Sequence, residues 1–465
     1  MTLRALVLGG GITGLVAAER LASRFGPEAV LLVESEPRLG GKIRTERRDG
    51  FVLEGGPDCF LAMKPGGMAL CRHLGLEDRV TPTNPELRRS FIKRGGRLHP
   101  IPDGISGLVP SRVMPLMTTR ILSVAGRIRA GLELGVPRRR ATTPESVADF
   151  ARRRFGAEAW EYLMEPLLSG IYAGDGNELS LDATFPQLRA MEATHGSLLR
   201  GMLAARRRPP AASRAPAGFV TLPGGLGELV DALAARVPAA SVRLGVRGQR
   251  LWRTEHGSFQ VALSDGTTLE TTAVIVATPA HVTAELVAAH DPALAQVLTE
   301  IPFASTATVS LAFPKAAVLN PLAGYGYVSP RAENGRIVAC TWTSNKFPER
   351  VPEDTVLIRA FVGRAGQQEL LGESDDTLTR WAREELAAIH GITAPPTLVK
   401  VTRWPRGMPQ YTLGHEARLE RIAERLALAP GLLLAGASYR GVGIPDCITA
   451  GWDAADRAAT HVEAA

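Results

Sequence analysis

The sequence predicts an α/β fold: a Rossmann-like core with a β-rich module and an α-helical module inserted into it. Three observations carry that expectation. The first 35 residues read as strand, glycine-rich turn, helix and strand. Short, wholly apolar runs of buried-strand type return far downstream, at Val274–Val276 and at Gly431–Gly436. Between the first unit and these runs lie one stretch of helical spacing and another of strand-like runs. The length of 465 residues agrees, because a core of ordinary size serves about 100–200 residues and two or three domains are expected.

Composition narrows the class. Hydrophobic residues make up 45% and charged residues 22%, the mix of a folded chain. No run approaches the roughly 18–20 apolar residues of a membrane span. Met1 leads almost directly into Ala5–Leu8, so no cleaved signal is expected. Cys59, Cys71, Cys340 and Cys447 are scattered without a CxxC pair, which argues against a metal site and a disulfide framework and for a reducing cytoplasm. Net charge is +7, with six lysines against 48 arginines, a skew that gives single arginines little weight. The Arg clusters at 138–140, 152–154 and 206–208 read as solvated helix faces, or as a surface meeting acidic lipid or an acidic substrate. Nucleic acid is not expected, since no aromatic residues interleave with them.

In chain order, Leu3–Leu8 is a strand, Gly9–Gly14 a turn, Leu15–Arg24 a helix and Ala29–Val33 a strand ending in Glu34. Residues 85–102 read as a hairpin around Gly95-Gly96. Residues 103–205 are mostly helical, with apolar spacings of three and four across Val113–Leu134 and Pro144–Leu168. The Pro- and Arg-rich stretch 206–218 reads as a linker. Strands follow at Val242–Leu244, Phe259–Val261 and Val274–Val276. Residues 301–411 carry strand-like runs at Ala307–Phe313, Tyr325–Val328, Ile337–Trp342, Val356–Val362 and Leu398–Thr402, with one helix near 375–390. A last helix begins at about Asp446. The core is thus assigned to 1–84, 219–300 and 412–465, the β-rich module to 85–102 and 301–411, and the helical module to 103–205.

The chemistry begins at Gly9, Gly11 and Gly14, a GxGxxG turn set between strand and helix. Such glycines let the backbone approach a pyrophosphate, whose charge the helix N-terminus favours. Gly10, Ile12 and Thr13 complete the turn. Glu34 follows Gly14 by 20 residues, at the end of the second strand, where a carboxylate reaches ribose hydroxyls. Next come Ser35, Arg38-Leu39-Gly40-Gly41-Lys42 and Gly55-Gly56-Pro57-Asp58. Gly40-Gly41 lets the backbone pass close to a bulky cofactor, and Arg38 is suited to neutralise phosphate. This pattern resembles the FAD-binding fingerprint of the flavin-containing amine oxidase superfamily. Val274–Pro279 and Gly436–Asp446 resemble that superfamily's later nucleotide-domain strand and C-terminal flavin segment. One residue departs: many relatives carry an acid directly after the glycine equivalent to Gly436, where this chain has Ala437, so the ribityl contact has to be made otherwise.

Three further strings resemble protoporphyrinogen and coproporphyrinogen oxidases: Ser169–Asp175 with Leu179-Ser180 and Thr184–Pro186; Trp404-Pro405 with Pro409–His415; and Tyr439–Ile448. The resemblance implies a Rossmann-like FAD-binding domain, an inserted β-rich substrate domain and an inserted helical domain of membrane-associated type. It implies FAD contacts from the residues above together with Val246, Trp404, Val442, Gly443 and Ile444. It implies substrate contacts from Arg89, Ser90, Gly170, Val328 and Phe347. The reaction implied is a six-electron aromatisation of a porphyrinogen, with the flavin N5 as acceptor and molecular oxygen reduced to peroxide. Coproporphyrinogen III is favoured over protoporphyrinogen IX. The hairpin position where protoporphyrinogen oxidases often hold a propionate with Arg is Ser90 here, and a four-carboxylate substrate suits an Arg-rich cleft. No metal and no catalytic base is assigned; His195, His281 and His415 are candidates by residue type alone. The resemblance also admits a homodimer, a peripheral membrane contact, and a binding protein that kept the fold without the flavin.

Overall fold

The computed structural model describes residues 3–106, 109–110, 113–141, 143–206, 218–320 and 322–465. The expected linker 206–218 therefore lies almost wholly outside the described residues, as do Arg207 and Arg208 of the third Arg cluster.

The chain opens with β1 (Ala5–Leu8), α1 (Ile12–Phe25) and β2 (Val30–Glu34). Both strands are buried at every position, as befits a parallel sheet covered on both faces. The hairpin follows as β3 (Ser90–Arg94) and β4 (Arg97–Pro100). Its turn residues Gly95 and Gly96 have φ of 58° and 72°, which a two-residue turn of this hand requires.

The helical module is more broken than the spacing predicts. The stretch Val113–Leu134 divides, with α2 (Val124–Gly131) restarting where the Ser123 hydroxyl accepts from the Gly126 N–H at 3.0 Å. The stretch Pro144–Leu168 becomes α3 (Val147–Phe155), a break at Gly156 with φ 93°, a π-helical turn over Trp160–Met164, and α4 (Glu165–Tyr172). Trp160, Phe150, Phe155 and Tyr172 fill the module's core. The Arg cluster at 152–154 is only partly a solvated face. Arg154 is buried against Glu133, and Arg153 bridges Glu145 at 2.9 Å and Glu192 at 2.7 Å.

Further strands of the two main sheets are β5 (Val242–Leu244), β6 (Ala273–Val276), β7 (Phe303–Pro314), β8 (Gly326–Val328), β9 (Ile337–Trp342) and β10 (Thr355–Val362). Then come α5 (Asp375–His390), β11 (Leu398–Pro409), α6 (His415–Ala427), β12 (Leu432–Leu434) and α7 (Ile444–Ala464). The core sheet is parallel throughout, in the order β5-β2-β1-β6-β12. Its strands come from the beginning, middle and end of the chain. The second sheet has seven strands in the order β11-β7-β10-β9-β8-β3-β4, so the early hairpin pairs with a module formed more than 200 residues later. A Cβ on Gly451 would stand 2.4 Å from the Thr13 carbonyl oxygen, so only glycine lets α7 cross α1 this closely. Arg20–Asp456 (2.6 Å) and Arg24–Glu463 (2.6 Å) fasten the same pair of helices.

Candidate active site

The glycine turn forms a cradle. A Cβ on Gly14 would stand 1.9 Å from the Gly9 carbonyl oxygen, so this glycine serves the turn's own packing. A Cβ on Gly11 would meet no protein atom within 4 Å, so here the space is left for something else. α1 begins at Gly11 without a side-chain cap, and its first-turn N–H groups, those of Ile12, Thr13 and Gly14 among them, are placed for an anion. Glu34 is held in place by the backbone and by Ser35. One carboxylate oxygen accepts from the Gly10 N–H at 2.5 Å, the other from the Ser35 hydroxyl at 3.0 Å and the Glu36 N–H at 2.8 Å. The Val246 N–H donates to the Glu34 carbonyl at 3.0 Å, which brings the β5 loop to the same edge. The cradle, the open space at Gly11 and the acid at the strand end fit the adenosine and pyrophosphate of FAD.

Arg38 donates to the loop carbonyls of Gly41 (2.6 Å), Leu39 (3.1 Å) and Ile43 (3.3 Å), so it braces the loop that carries Gly41 and Lys42. Burial, then Arg44, lowers its pKa. Lys42 reaches no carboxylate among the described residues, and burial lowers its pKa as well. Its carbonyl oxygen lies 1.9 Å from where a Gly56 Cβ would be, so glycine is needed there. The Trp404 indole N–H donates to the Gly55 carbonyl at 2.8 Å. Lys42, Gly56 and Trp404 thus form one wall.

Asp58 and its neighbour Pro57 continue that wall, but the Asp58 carboxylate is engaged with protein. Lys346 stands 2.9 Å from it and Arg359 3.9 Å. Burial would raise this carboxyl; the two cations outweigh burial and hold it well below the usual carboxylate range. The adjacent Cys59 thiol is pushed up to about 12 by burial and by Asp58, which makes it unreactive. Lys346 and Arg359 were not legible from sequence, since no motif marks either.

The C-terminal segment arrives opposite. Gly443 is the uncapped N-terminus of α7, Ile444 is buried in the core and Val442 packs on the helical module. The Asp446 carboxylate in the first turn is matched by Lys64 at 2.5 Å. An uncapped helix N-terminus stabilises negative charge, as on a reduced flavin ring.

Three of the sequence-predicted substrate residues share one place. Gly170 of α4 is exposed, and a Cβ there would stand 3.5 Å from Val328 of β8. Val328 pairs with Ile92, and Ser90 pairs with Gly326, in parallel register. Side chains alternate along a strand, so Ser90 shares its face with Ile92, which is buried in the helical module's core, while Phe91 faces the other way. Arg89 is exposed just before the strand and, among the described residues, neither it nor Arg88 meets a carboxylate. Phe347 is not brought to this place. It is 1% exposed and packs between the Arg350 guanidinium, 4.2 Å from its ring centre, and the Lys346 ammonium at 5.0 Å.

The three histidines lie apart. His195 is exposed in the last turn of its helix. His281 stands edge-on to Phe303 beside a cavity of about 590 Å³ that Glu285 and Arg406 also line; burial and Arg406 lower its pKa. His415 is buried behind the Gly436–Asp446 segment, its Nε2 2.8 Å from the Tyr439 carbonyl.

Sheet, cradle and converging helix N-terminus together define an FAD-dependent flavoprotein. Comparisons with known proteins give its family. The model of the flavin containing amine oxidoreductases matches residues 12–459, and the chain belongs to that family. Coproporphyrinogen III oxidase from Bacillus subtilis (strain 168) is 37% identical, over 98% of each chain. Protoporphyrinogen oxidase from Bos taurus is 34% identical, over 97% of each. A solved structure from Exiguobacterium sp. 255-15, provisionally assigned as a protoporphyrinogen oxidase, superposes with a TM-score of 0.86 at 33% identity and covers 100% of this chain and 99% of that one. This protein is an FAD-dependent oxidase; the reading as a flavin-less binding protein falls away.

Proposed function

We propose that this enzyme oxidises coproporphyrinogen III to coproporphyrin III. The end-to-end similarity to a coproporphyrinogen III oxidase, 37% over 98% of both chains, carries the reading. FAD, when bound, accepts electrons two at a time, so the six-electron oxidation takes three turns, with molecular oxygen as final acceptor and three hydrogen peroxide formed. The chain's own part is placement. Glu34 and the glycine cradle hold the nucleotide end, Trp404 and Gly56 bound the ring end, and Gly170 with Val328 leaves a flat wall for a large planar substrate. Arg88 and Arg89, exposed without carboxylate partners among the described residues, stand ready for propionates beside the short side chain of Ser90. No residue is assigned as a proton carrier. The test is side-by-side oxidation of anaerobically prepared coproporphyrinogen III and protoporphyrinogen IX, followed by porphyrin fluorescence. Coproporphyrinogen is expected to show the higher kcat/KM, and the reverse order overturns the assignment.

The helical module supports a peripheral contact with an anionic membrane surface. Among the described residues no helix is long and apolar enough to cross a membrane. Yet Val124, Ile128 and Leu132 are 64%, 55% and 59% exposed at spacings of four, with exposed Arg120, Arg138 and Arg140 nearby in sequence.

A further inference from the structure

The string Pro409-Gln410-Tyr411-Thr412-Leu413-Gly414-His415 carries no cofactor or substrate role so far, yet it contacts both the helical module and the flavin segment. Towards the helical module it is pinned by three hydrogen bonds, two of which form the Leu179–Thr412 bridge. The Gln410 side-chain amide donates to the Tyr172 carbonyl at 2.8 Å. The Ser180 N–H donates to the Tyr411 carbonyl at 2.8 Å, and the Leu413 N–H donates to the Glu178 carbonyl at 2.8 Å. Tyr172 and Gln410 therefore lie one helix end away from Gly170.

Towards the flavin segment the string presents two stacked rings. Tyr411 and His415 lie 4.2 Å apart with planes at 16°. Both are 1% exposed. The Tyr411 hydroxyl donates to the Ala437 carbonyl at 2.6 Å, and His415 Nε2 lies 2.8 Å from the Tyr439 carbonyl. A carbonyl only accepts, so Nε2 carries the hydrogen and Nδ1 is bare. Nδ1 is indeed buried without a protein partner. Burial first, against the bond to Tyr439, brings the imidazole pKa down to about 4, consistent with a neutral ring.

We propose that Tyr411 and His415 form a two-point clamp that positions the Ala437–Tyr439 backbone against the FAD, and that they are positioning residues for the cofactor. The inference rests on the assignment of the Gly436–Ile444 segment to the flavin. It also accounts for the departure at Ala437. With no acidic side chain to fix the ribityl chain, this segment has its backbone to offer. Ala437 gives its carbonyl to Tyr411, and among the described residues its N–H meets no protein acceptor. The clamp thus fixes the direction in which a backbone donor faces the cofactor. The same string ties that donor to α4, whose Gly170 borders the substrate wall.

The test uses Tyr411→Phe, which removes one hydroxyl and keeps the stack, and His415→Gln, which keeps a donor and loses the stack. FAD dissociation from each reconstituted protein is measured by flavin fluorescence, with the midpoint potential and visible spectrum of the bound flavin. Tyr411→Phe is expected to weaken FAD about three- to tenfold, as for one net hydrogen bond, and to shift the potential and the flavin band. His415→Gln is expected to fall between wild type and His415→Ala. Wild-type dissociation, potential and spectrum in folded Tyr411→Phe would overturn the clamp. Should that variant not fold, equal FAD affinity in His415→Gln, His415→Ala and wild type overturns it instead. Failure of the wild-type apoprotein itself to bind FAD would instead sink the flavin assignment beneath it.

Discussion

Glu34 shows how much one residue can do. Its two carboxylate oxygens accept three protein hydrogens at 2.5–3.0 Å, which fixes the carboxylate at the end of β2 before any ribose arrives. Glu34→Ala removes a charge-assisted bond worth roughly 1.5–3 kcal/mol and also frees the Gly10 N–H. FAD affinity should drop about ten- to hundredfold, and flavin retained in full on dialysis would refute the assignment. The spacing from Gly14 was enough to place this residue at the end of β2, because a βαβ unit imposes it. Phe347 was not so legible. An aromatic in a short helical turn can face a ligand or a core, and only the tertiary packing of Arg350 and Lys346 against its ring decides. Ser90 is the other residue with a direct test. It lies on the strand face that turns to the helical module, so Ser90→Arg should raise kcat/KM for protoporphyrinogen IX relative to coproporphyrinogen III by a few-fold. An exposed ion pair contributes only about 0–1 kcal/mol and a charged hydrogen bond in a drier site more. An unchanged ratio would remove Ser90 from the cleft.

Among the elements, long strands and helices were read well where their period was clean. Ile337–Trp342 and Asp375–His390 have the bounds their sequences suggest. α6 was missed, though its amphipathic run His415–Ala427 starts at a glycine with φ 82°, a conformation a sequence alone does not announce. β11 runs seven residues beyond its apolar stretch because a bulge at Pro405–Gly407, with Arg406 at φ 46°, carries the strand past Trp404 to Pro409. α2 has a prediction of its own. A helix in water buries its apolar stripe, and Val124 and Ile128 of α2, with Leu132 just past its end, are left out. Replacing the three by Ser should abolish sedimentation with vesicles rich in phosphatidylserine, while the wild-type protein sediments with them and is released by salt. Equal sedimentation of both proteins would count against the stripe.

For the molecule as a whole, the core strands β1, β2, β6 and β12 were legible from sequence because they are apolar runs, wherever in the chain they occur. Buried charge and ring contacts between residues far apart in the sequence were not: Asp58 with Lys346 between two modules, Arg154 with Glu133 inside the helical module, His390 with Trp342 inside the β-rich module. Such contacts set how stability responds to acid. His390, at the end of α5, is 6% exposed, stands 5.2 Å from the Trp342 ring centre, and has a buried Nε2 without a partner. Burial lowers its pKa to about 4. An unfolded histidine titrates near 6.5. Between those values the unfolded chain holds a proton that the folded one refuses, so the folded state is favoured less as pH falls. The contribution is complete above about pH 6.5 and is lost progressively down to about pH 4, the loss reaching about 2 kcal/mol at pH 5. His415, also lowered to about 4, adds to the same window. Glu145 acts lower down. Burial would raise its carboxyl, but Arg153 and Arg189 outweigh that and depress it, so its contribution disappears only as pH falls below the ordinary glutamate range. His390→Phe keeps a ring against Trp342 and removes the titration. Urea unfolding of the holoenzyme at pH 7.5 and pH 5 should therefore show wild type losing about 2 kcal/mol more than His390→Phe. Parallel losses in the two proteins would mean that His390 is protonated in the folded state at pH 5 and that its burial does not hold it neutral.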